Sequence, residues 1–359
     1  MNIHRLSLLA LLLSAAALAQ RPDGLYAEIR TNKGTIVARL EAELTPMTVT
    51  NFVGLAEGTI ANAAFDPGRP FFDGTVYHRV VPGHVIQTGI PQSDRAKGPG
   101  YQFPNEVHAK LSHDHAGALN MANSGPNTNS SQFCVTLGDR SYLDGNFTVF
   151  GEVVEGLDVV MRIVQGDSVE RVRILRIGMK AEGFHPTTES FQAMVRAAQQ
   201  RVAEHVEKKK SAEWEWVAAH HPKASGQGGG VLTEQVAAGH ANDQAGPLRV
   251  RYRGTELLYA GDVLGYEGPP IKPIEFGSND NGLPGFVESP HAFPLPAKIN
   301  PGLDAVIATM QPGERRIVIV PAAQAYGRAG TYPPEVPGQR RFVVSPNAML
   351  VYDVEVLAP

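Results

Sequence analysis

The sequence contains a single cysteine, Cys134, among 359 residues. An internal disulfide is therefore impossible, and cysteine-based metal sites are excluded with it. Charge of one sign is scarce. Lys and Arg total 32 against 36 Asp and Glu, a net charge of −4. That balance supplies no field to hold a polyanion, so nucleic acid is not an expected partner. Long apolar runs are missing too. The most apolar stretch, Leu6 to Leu18, is broken by Ser7 and Ser14 and is shorter than the roughly 20 residues that a membrane-spanning helix needs.

That stretch has another use. His4 and Arg5 precede it, and Ala17-Leu18-Ala19 sets small residues before Gln20. The pattern predicts a secretory signal peptide over residues 1–19. The mature chain is then exported, periplasmic or secreted, with no stable membrane insertion after cleavage. No cysteine follows the run, which disfavours a lipid anchor.

Turn chemistry is what the sequence has in quantity. Gly (37) and Pro (27) make up about 18% of the chain, against an ordinary roughly 12%. Hydrophobic residues at 43% and charged residues at 19% allow packed cores. At roughly 100–200 residues per domain the length predicts two or three domains, β-rich and turn-heavy.

Local patterns give the organisation. Leu25–Thr31 and Thr35–Leu40 read as strands joined at Asn32-Lys33-Gly34, a hairpin signal. Thr45-Pro46 opens a helix, Val49, Phe52, Val53 and Ala56 give it one apolar face, and Gly58 stops it. Short strand-like runs follow up to Arg173–Ile177. Residues 183–223 carry Phe191, Val195, Ala198, Val202 and Val206 at helical spacing, which predicts a long amphipathic helix or helical pair. Lys208-Lys209-Lys210 reads as a solvated face. Ala224–Gly230 (ASGQGGG) reads as a hinge. From Val231 the chain is β-rich again, with strands at Leu248–Tyr252, Arg315–Val320 and Ala348–Leu357. A helical stripe of Leu303, Val306, Ile307 and Met310 lies between. The Gly/Pro-rich region 265–296 is too irregular to assign. His113-Asp114-His115 and His220-His221 lack the helical spacing and third ligand of a zinc site. They are expected to be solvated loop histidines, and no metal or other cofactor is expected.

Four segments carry the chemistry: Phe71 to Val80 (FFDGTVYHRV), Pro82 to Gln87 (PGHVIQ), Gly117 to Phe133 (GALNMANSGPNTNSSQF) and Leu143 to Gly151 (LDGNFTVFG). Arg79 ends a strand-like run, and the amides Gln87, Asn123 and Gln132 sit in otherwise apolar patterns. No nucleophile–base pair and no phosphate loop stands out. Such a site binds backbone and polarises it. The segments, in this order and spacing, resemble the cyclophilin family of peptidyl-prolyl cis-trans isomerases over about residues 25–180. The resemblance implies a closed eight-stranded antiparallel β-barrel with two capping helices, and Arg79 as the catalytic residue. It implies that Gln87 holds the carbonyl beside the proline, that Ala122 and Asn123 bind substrate backbone, that Gln132 lines the floor and that Leu143 contacts the ring. His84 stands where a phenylalanine usually packs on the proline, Val85 replaces a methionine and Cys134 a second phenylalanine. Tyr142 and Phe147 replace tryptophan and histidine. The first three changes shrink or polarise the pocket, so weaker proline binding is expected.

The last 110 or so residues (segments around Val250–Gly254, Phe293–Leu295, Ile299–Leu303, Gln311–Arg316, Ala325–Gly327 and Leu350–Leu357) resemble the FKBP family. That resemblance implies a curved antiparallel sheet around one helix. Tyr252, Phe293, Ile299, Tyr326 and Tyr352 would line a proline-accepting pocket, with Leu303 where a tryptophan usually forms its floor. Asn300 replaces an apolar residue, and Leu264-Gly265 falls near a missing Phe-Asp pair. The alternative is that those aromatics are simply core. The expected arrangement is a signal peptide (1–19), a cyclophilin-like isomerase domain (24–182), a helical linker with a Gly-rich hinge (183–230) and an FKBP-like domain (231–359). The expected function is rotation of X–Pro bonds in unfolded or proline-containing polypeptides. The alternative is a non-catalytic proline-peptide binder or holdase.

Overall fold

A computed structural model describes residues 21–91, 98–226, 230–240, 249–262, 268–278, 299–328, 330–331 and 344–357. The expected signal peptide, Leu264-Gly265 and Phe293 lie outside the described residues. Contacts group the chain into two units, residues up to Gln200 and residues from Arg201 on.

The first unit is built on eight antiparallel strands. They are β1 (Gly24–Thr31), β2 (Gly34–Leu40), β3 (Arg79–Val81), β4 (Val85–Thr88), β5 (Ala118–Met121), β6 (Phe133–Thr136), β7 (Val149–Glu155) and β8 (Val169–Ile177). β1 and β2 form the expected hairpin, with Thr31 paired to Gly34. The sheet order is β3-β4-β6-β5-β7-β2-β1-β8. The sheet is curled into a half-barrel, and this corrects the expected closed barrel. The edge strands β3 and β8 form no ladder with each other. Between them stand one isolated bridge, Val76 to Ser168, and a few backbone bonds such as Tyr77 N–H to the Asp167 carbonyl at 2.8 Å. Turns cut both facing segments short: Gly74 and Gly166 sit at φ +80° and +97°, outside extended geometry.

Helix α1 (Pro46–Glu57) covers the core. Pro46 starts it and Gly58 ends it at φ +72°. Thr45 makes no side-chain cap; its hydroxyl donates to the Glu41 carbonyl. The orphan N–H groups of Met47 and Thr48 instead donate to the Glu106 carboxylate at 3.1 and 2.8 Å, a favourable place for negative charge. Val49, Phe52, Val53 and Ala56 are buried as the spacing predicts. Phe52 packs on Phe72, Phe133 and Phe150 with centroids 5.1–5.3 Å apart. Short helices α2 (Leu157–Arg162) and α3 (Met179–Glu182) complete this part.

The region 183–223 is one helix, α4 (Thr188–His220). Phe191 and Ala198 belong to the first core, and Val217 to a cluster with Leu257, Ile271 and Ile319 in the second unit. The lysine run is not uniformly solvated. Lys210 is exposed, but Lys209 is 3% exposed and donates to Asp262 at 2.6 Å.

The second unit has strands β9 (Ser225–Gly226), β10 (Leu232–Ala237), β11 (Arg249–Tyr259), β12 (Ile271–Ser278), β13 (Arg315–Val320) and β14 (Leu350–Leu357). Their order is β12-β11-β14-β13-β10-β9, all antiparallel. β9 falls inside the expected hinge. Helix α5 (Pro301–Ile307) buries Leu303, Val306 and Ile307, and Met310 follows them into the core.

Candidate functional site

Arg79 opens β3 and Gln87 lies on β4. The Pro82-Gly83 turn sets them opposite each other in register, and the Arg79 Nη1 donates to Gln87 Oε1 at 3.3 Å. Gln87 Nε2 in turn donates to Gln132 Oε1 at 2.8 Å. His78 Nε2 lies 3.1 Å from the same oxygen. The result is a relay of one guanidinium, two amides and one imidazole, all half-buried. Its alignment depends on Gly89. At φ +97° a Cβ there would come within 2.4 Å of the Ser131 carbonyl, so only glycine lets the chain after β4 approach the residues leading into β6. Ser131 Oγ closes the approach by donating to the Gly89 carbonyl at 2.7 Å.

Cys134 pairs with Gln87 across β4 and β6. Burial pushes its thiol up to about 12, against the pull of the Arg79 charge. Val85 is buried in the same strand as Gln87. A groove of about 620 Å³ runs from Gln87 and Gln132 past Ala122 and Asn123 to Gly98–Gln102. Ala122 N–H donates to the Gln132 carbonyl at 2.9 Å, and Asn123 Nδ2 to the Asn146 carbonyl at 3.1 Å. Gln87, Ala122, Asn123 and Gln132 thus share one groove, with Arg79 joined to it through Gln87.

Tyr142, Leu143 and Phe147 are half-buried on the next loop. His84 stacks on Tyr142 with centroids 6.1 Å apart and planes at 20°, and the Tyr142 hydroxyl lies 3.4 Å from His84 Nδ1. The loop is pinned by Asp144, which accepts from the His113 N–H at 2.9 Å and lies 2.6 Å from its Nδ1. His113 is therefore a buried structural residue, which corrects the expectation of a solvated histidine. Burial holds its pKa below the ordinary histidine value although Asp144 pulls the other way. The roles of His78 and His113 were not visible in the sequence because their partners lie 54 and 31 residues away.

In the second unit Tyr352 is fully buried. Tyr252 and Phe276 pack on it edgewise, at 6.1 and 5.8 Å. Asn300 Nδ2 donates to its hydroxyl at 2.8 Å, while Asn300 Oδ1 accepts from Leu303 N–H at 3.0 Å and caps α5. Tyr326 donates to the Ile299 carbonyl at 3.3 Å. Tyr252, Ile299, Leu303, Tyr326 and Tyr352 therefore belong to one cluster. Leu303 and Tyr352 are core, whereas Tyr252, Ile299 and Tyr326 are partly exposed. Phe276 joins them without having been expected, because Lys272, Pro273 and Glu275 hide the strand pattern around it.

A family model described as cyclophilin type peptidyl-prolyl cis-trans isomerase/CLD matches residues 26–179, and one described as FKBP-type peptidyl-prolyl cis-trans isomerase matches residues 274–357. The probable peptidyl-prolyl cis-trans isomerase A of Mycobacterium leprae is 46% identical over 133 residues, covering 36% of this chain and 73% of that protein. Peptidyl-prolyl cis-trans isomerase B of Streptomyces anulatus is 44% identical over 135 residues, 36% of this chain and 77% of that one. The peptidyl-prolyl cis-trans isomerase-like 1 protein of Aspergillus fumigatus is 37% identical over 162 residues, 43% of this chain and 94% of that one.

Proposed function

The chain belongs to the cyclophilin-type peptidyl-prolyl cis-trans isomerases, with an FKBP-type domain also present, and on that premise we propose that Arg79 drives the rotation and that the clients are exported proteins in the course of folding. The Arg79–Gln87–Gln132 relay carries this reading. An X–Pro bond rotates over a barrier of roughly 18–20 kcal/mol because amide resonance must break. As resonance breaks, the prolyl nitrogen becomes pyramidal and its lone pair localises. A guanidinium donating to that nitrogen binds the twisted state more strongly than either planar isomer, and only such differential binding lowers a barrier. Arginine keeps its charge at any working pH. Gln87 holds the guanidinium, and Gln132 holds Gln87, so the donor is oriented before substrate arrives.

Gln87, Ala122, Asn123 and Gln132 are proposed to bind the substrate backbone. His84, Val85, Cys134, Tyr142, Leu143 and Phe147 are proposed to contact the proline side. Export rests on the N-terminal pattern, and with it a periplasmic or secreted location. Residues 24–182 are proposed as the isomerase domain and 231–359 as the FKBP-like domain. For the latter, the partly exposed Tyr252, Ile299 and Tyr326 around the buried Tyr352 are proposed to hold peptide.

The test is the cis-trans exchange rate of a proline tetrapeptide with the full chain and with Arg79→Ala. Loss of one such oriented donor is worth about 100- to 1,000-fold in rate. Equal rates for the two proteins would refute the mechanism.

A further inference from the structure

The stretch of groove wall formed by Gly98, Gly100, Tyr101 and Gln102 has no strand of its own. Its regular support begins at Phe103, which exchanges backbone bonds with Asn129 at 2.9 and 3.2 Å. A loop wall of this kind keeps its shape only through what packs behind it. Behind this one lies the start of α4. Phe191, 4% exposed, packs on Tyr101 at 5.2 Å and edge-on to Phe103 at 5.6 Å between centroids. Thr188 Oγ1 accepts from Ala61 N–H at 2.9 Å. Two residues on, Ala63 N–H donates to the Pro99 carbonyl at 2.9 Å. Gly100, at φ +82°, passes so close to Ala63 that a Cβ there would approach its methyl to 2.6 Å. Helix, loop and wall are thus stacked without slack.

From Tyr101 the contact reaches a second stretch of the groove lining. Its hydroxyl donates to Asn51 Oδ1 at 2.7 Å, and Asn51 Nδ2 donates to the Ser130 carbonyl at 2.9 Å. Ser130 and Tyr101 both line the groove, and Asn51 is buried on α1. A smaller cavity of about 170 Å³ lies on the far side of Tyr101 and Gln102, lined by Ile60, Phe191 and Val195 among others. Tyr101 and Gln102 therefore line both spaces, and Phe191 lies against Tyr101 in the second.

We infer that the start of α4 is a working part of the isomerase groove, and that Phe191 is a positioning residue that sets the width of the groove through Tyr101. Phe191 lies past the matched residues 26–179 and past the proposed end of the isomerase domain. The catalytic unit of this chain accordingly extends through the first turns of the long helix. This inference rests on the reading that substrate binds in the Arg79 groove. Removing the Phe191 ring lets Tyr101 retreat, which widens the groove without touching Arg79 or Gln87. Peptide binding weakens while the chemical step stays intact.

The experiment measures KM and kcat for the full chain and for Phe191→Ala, Phe191→Leu, Thr188→Val and Arg79→Ala. The substrates are chromogenic tetrapeptides differing in the residue two before the proline. Phe191→Ala is expected to raise KM by about three- to tenfold, with kcat changed less than about twofold. The size of the effect is expected to depend on the varied residue. Phe191→Leu refills most of the apolar space and is expected to restore KM to within about twofold of wild type. A merely structural role lowers the melting temperature and leaves KM in place, so wild-type KM in Phe191→Ala overturns the inference. Should Phe191→Ala fail to fold, Thr188→Val, which removes the bond from Ala61 N–H, decides it: a raised KM supports it, and wild-type KM overturns it. Arg79→Ala separates the two levels. Wild-type rate in that variant removes the groove reading and this inference together. Lost rate there, with unchanged KM in Phe191→Ala and Thr188→Val, removes this inference alone.

Discussion

Glu213 gives the second unit a pH dependence that can be worked out in advance. The residue lies on α4, is 3% exposed, and accepts from the Met349 N–H at 3.1 Å. Burial, reinforced by the charges of Asp262 and Glu256, pushes its carboxyl from 4.5 up to about 7, against the pull of Lys209 and the Met349 bond. A carboxyl raised in the folded state keeps its proton there after the unfolded chain has lost it. Stability therefore falls as pH rises from 4.5 to about 7 and is level above that. At ~1.4 kcal/mol per tenfold change in proton affinity, the cost at pH 8 is about 3 kcal/mol. In Glu213→Gln the amide oxygen still accepts from Met349, Lys209 keeps Asp262 at 2.6 Å, and the buried charge is gone. The expected gain at pH 8 approaches that figure and disappears near pH 4.5. Urea unfolding followed by fluorescence is the assay, because both tryptophans of the chain, Trp214 and Trp216, sit on this segment of α4. A parallel change in stability of wild type and Glu213→Gln between pH 5 and 8, or a weaker variant at pH 8, would refute a raised Glu213 carboxyl.

Cys134, with its thiol pushed up to about 12 by burial, should react with iodoacetamide at pH 8 only as fast as the first unit opens; labelling of the native protein within minutes, read by mass spectrometry, would contradict this. Asn300→Ala removes both the α5 cap and the partner of the Tyr352 hydroxyl and should cost about 1–3 kcal/mol in denaturant unfolding. Asn300→Asp keeps the cap but cannot donate to Tyr352, so it should be the milder lesion, and the opposite order would show that the cap is not what the side chain supplies.

How much of this was legible in the sequence followed the distance over which each signal acts. Helix α1 could be read because Pro46, the spacing of Val49, Phe52, Val53 and Ala56, and Gly58 are all local. Its real cap could not, because Glu106 is 59 residues from Met47. Lys209 resembled its neighbours in a charged run, and only the fold brings Asp262 to it, 53 residues away. Curling without closure was hidden for a related reason: the resemblance implied a barrel, while β3 has three residues and turns interrupt both sides of the seam. In the site, Arg79 and the amides Gln87 and Gln132 were readable as single residues, whereas their link needed β3, β4 and β6 side by side. The wall behind Tyr101 was not readable at all. Phe191 advertises only an amphipathic helix, and a helical stripe does not say which surface it meets.

The two units treat buried polarity in opposite ways, and this bears on how their work is divided. In the first, Arg79, Gln87, Gln132 and His78 are half-buried and bonded side chain to side chain. Their orientation is fixed while the guanidinium stays at a groove. That is the condition under which a charged donor stabilises a developing lone pair with little reorganisation at the moment of rotation. In the second, the corresponding polarity is turned inward: Asn300 holds the start of α5 with its oxygen and the Tyr352 hydroxyl with its nitrogen. Altering that amide disturbs the fold before it can disturb any ligand. A core of this kind leaves an aromatic wall suited to apolar contact, and nothing among its described residues concentrates charge on an amide nitrogen. Arg79→Ala should accordingly remove rate from the first unit, while substitutions at the partly exposed Tyr252 and Tyr326 should act on affinity for peptide.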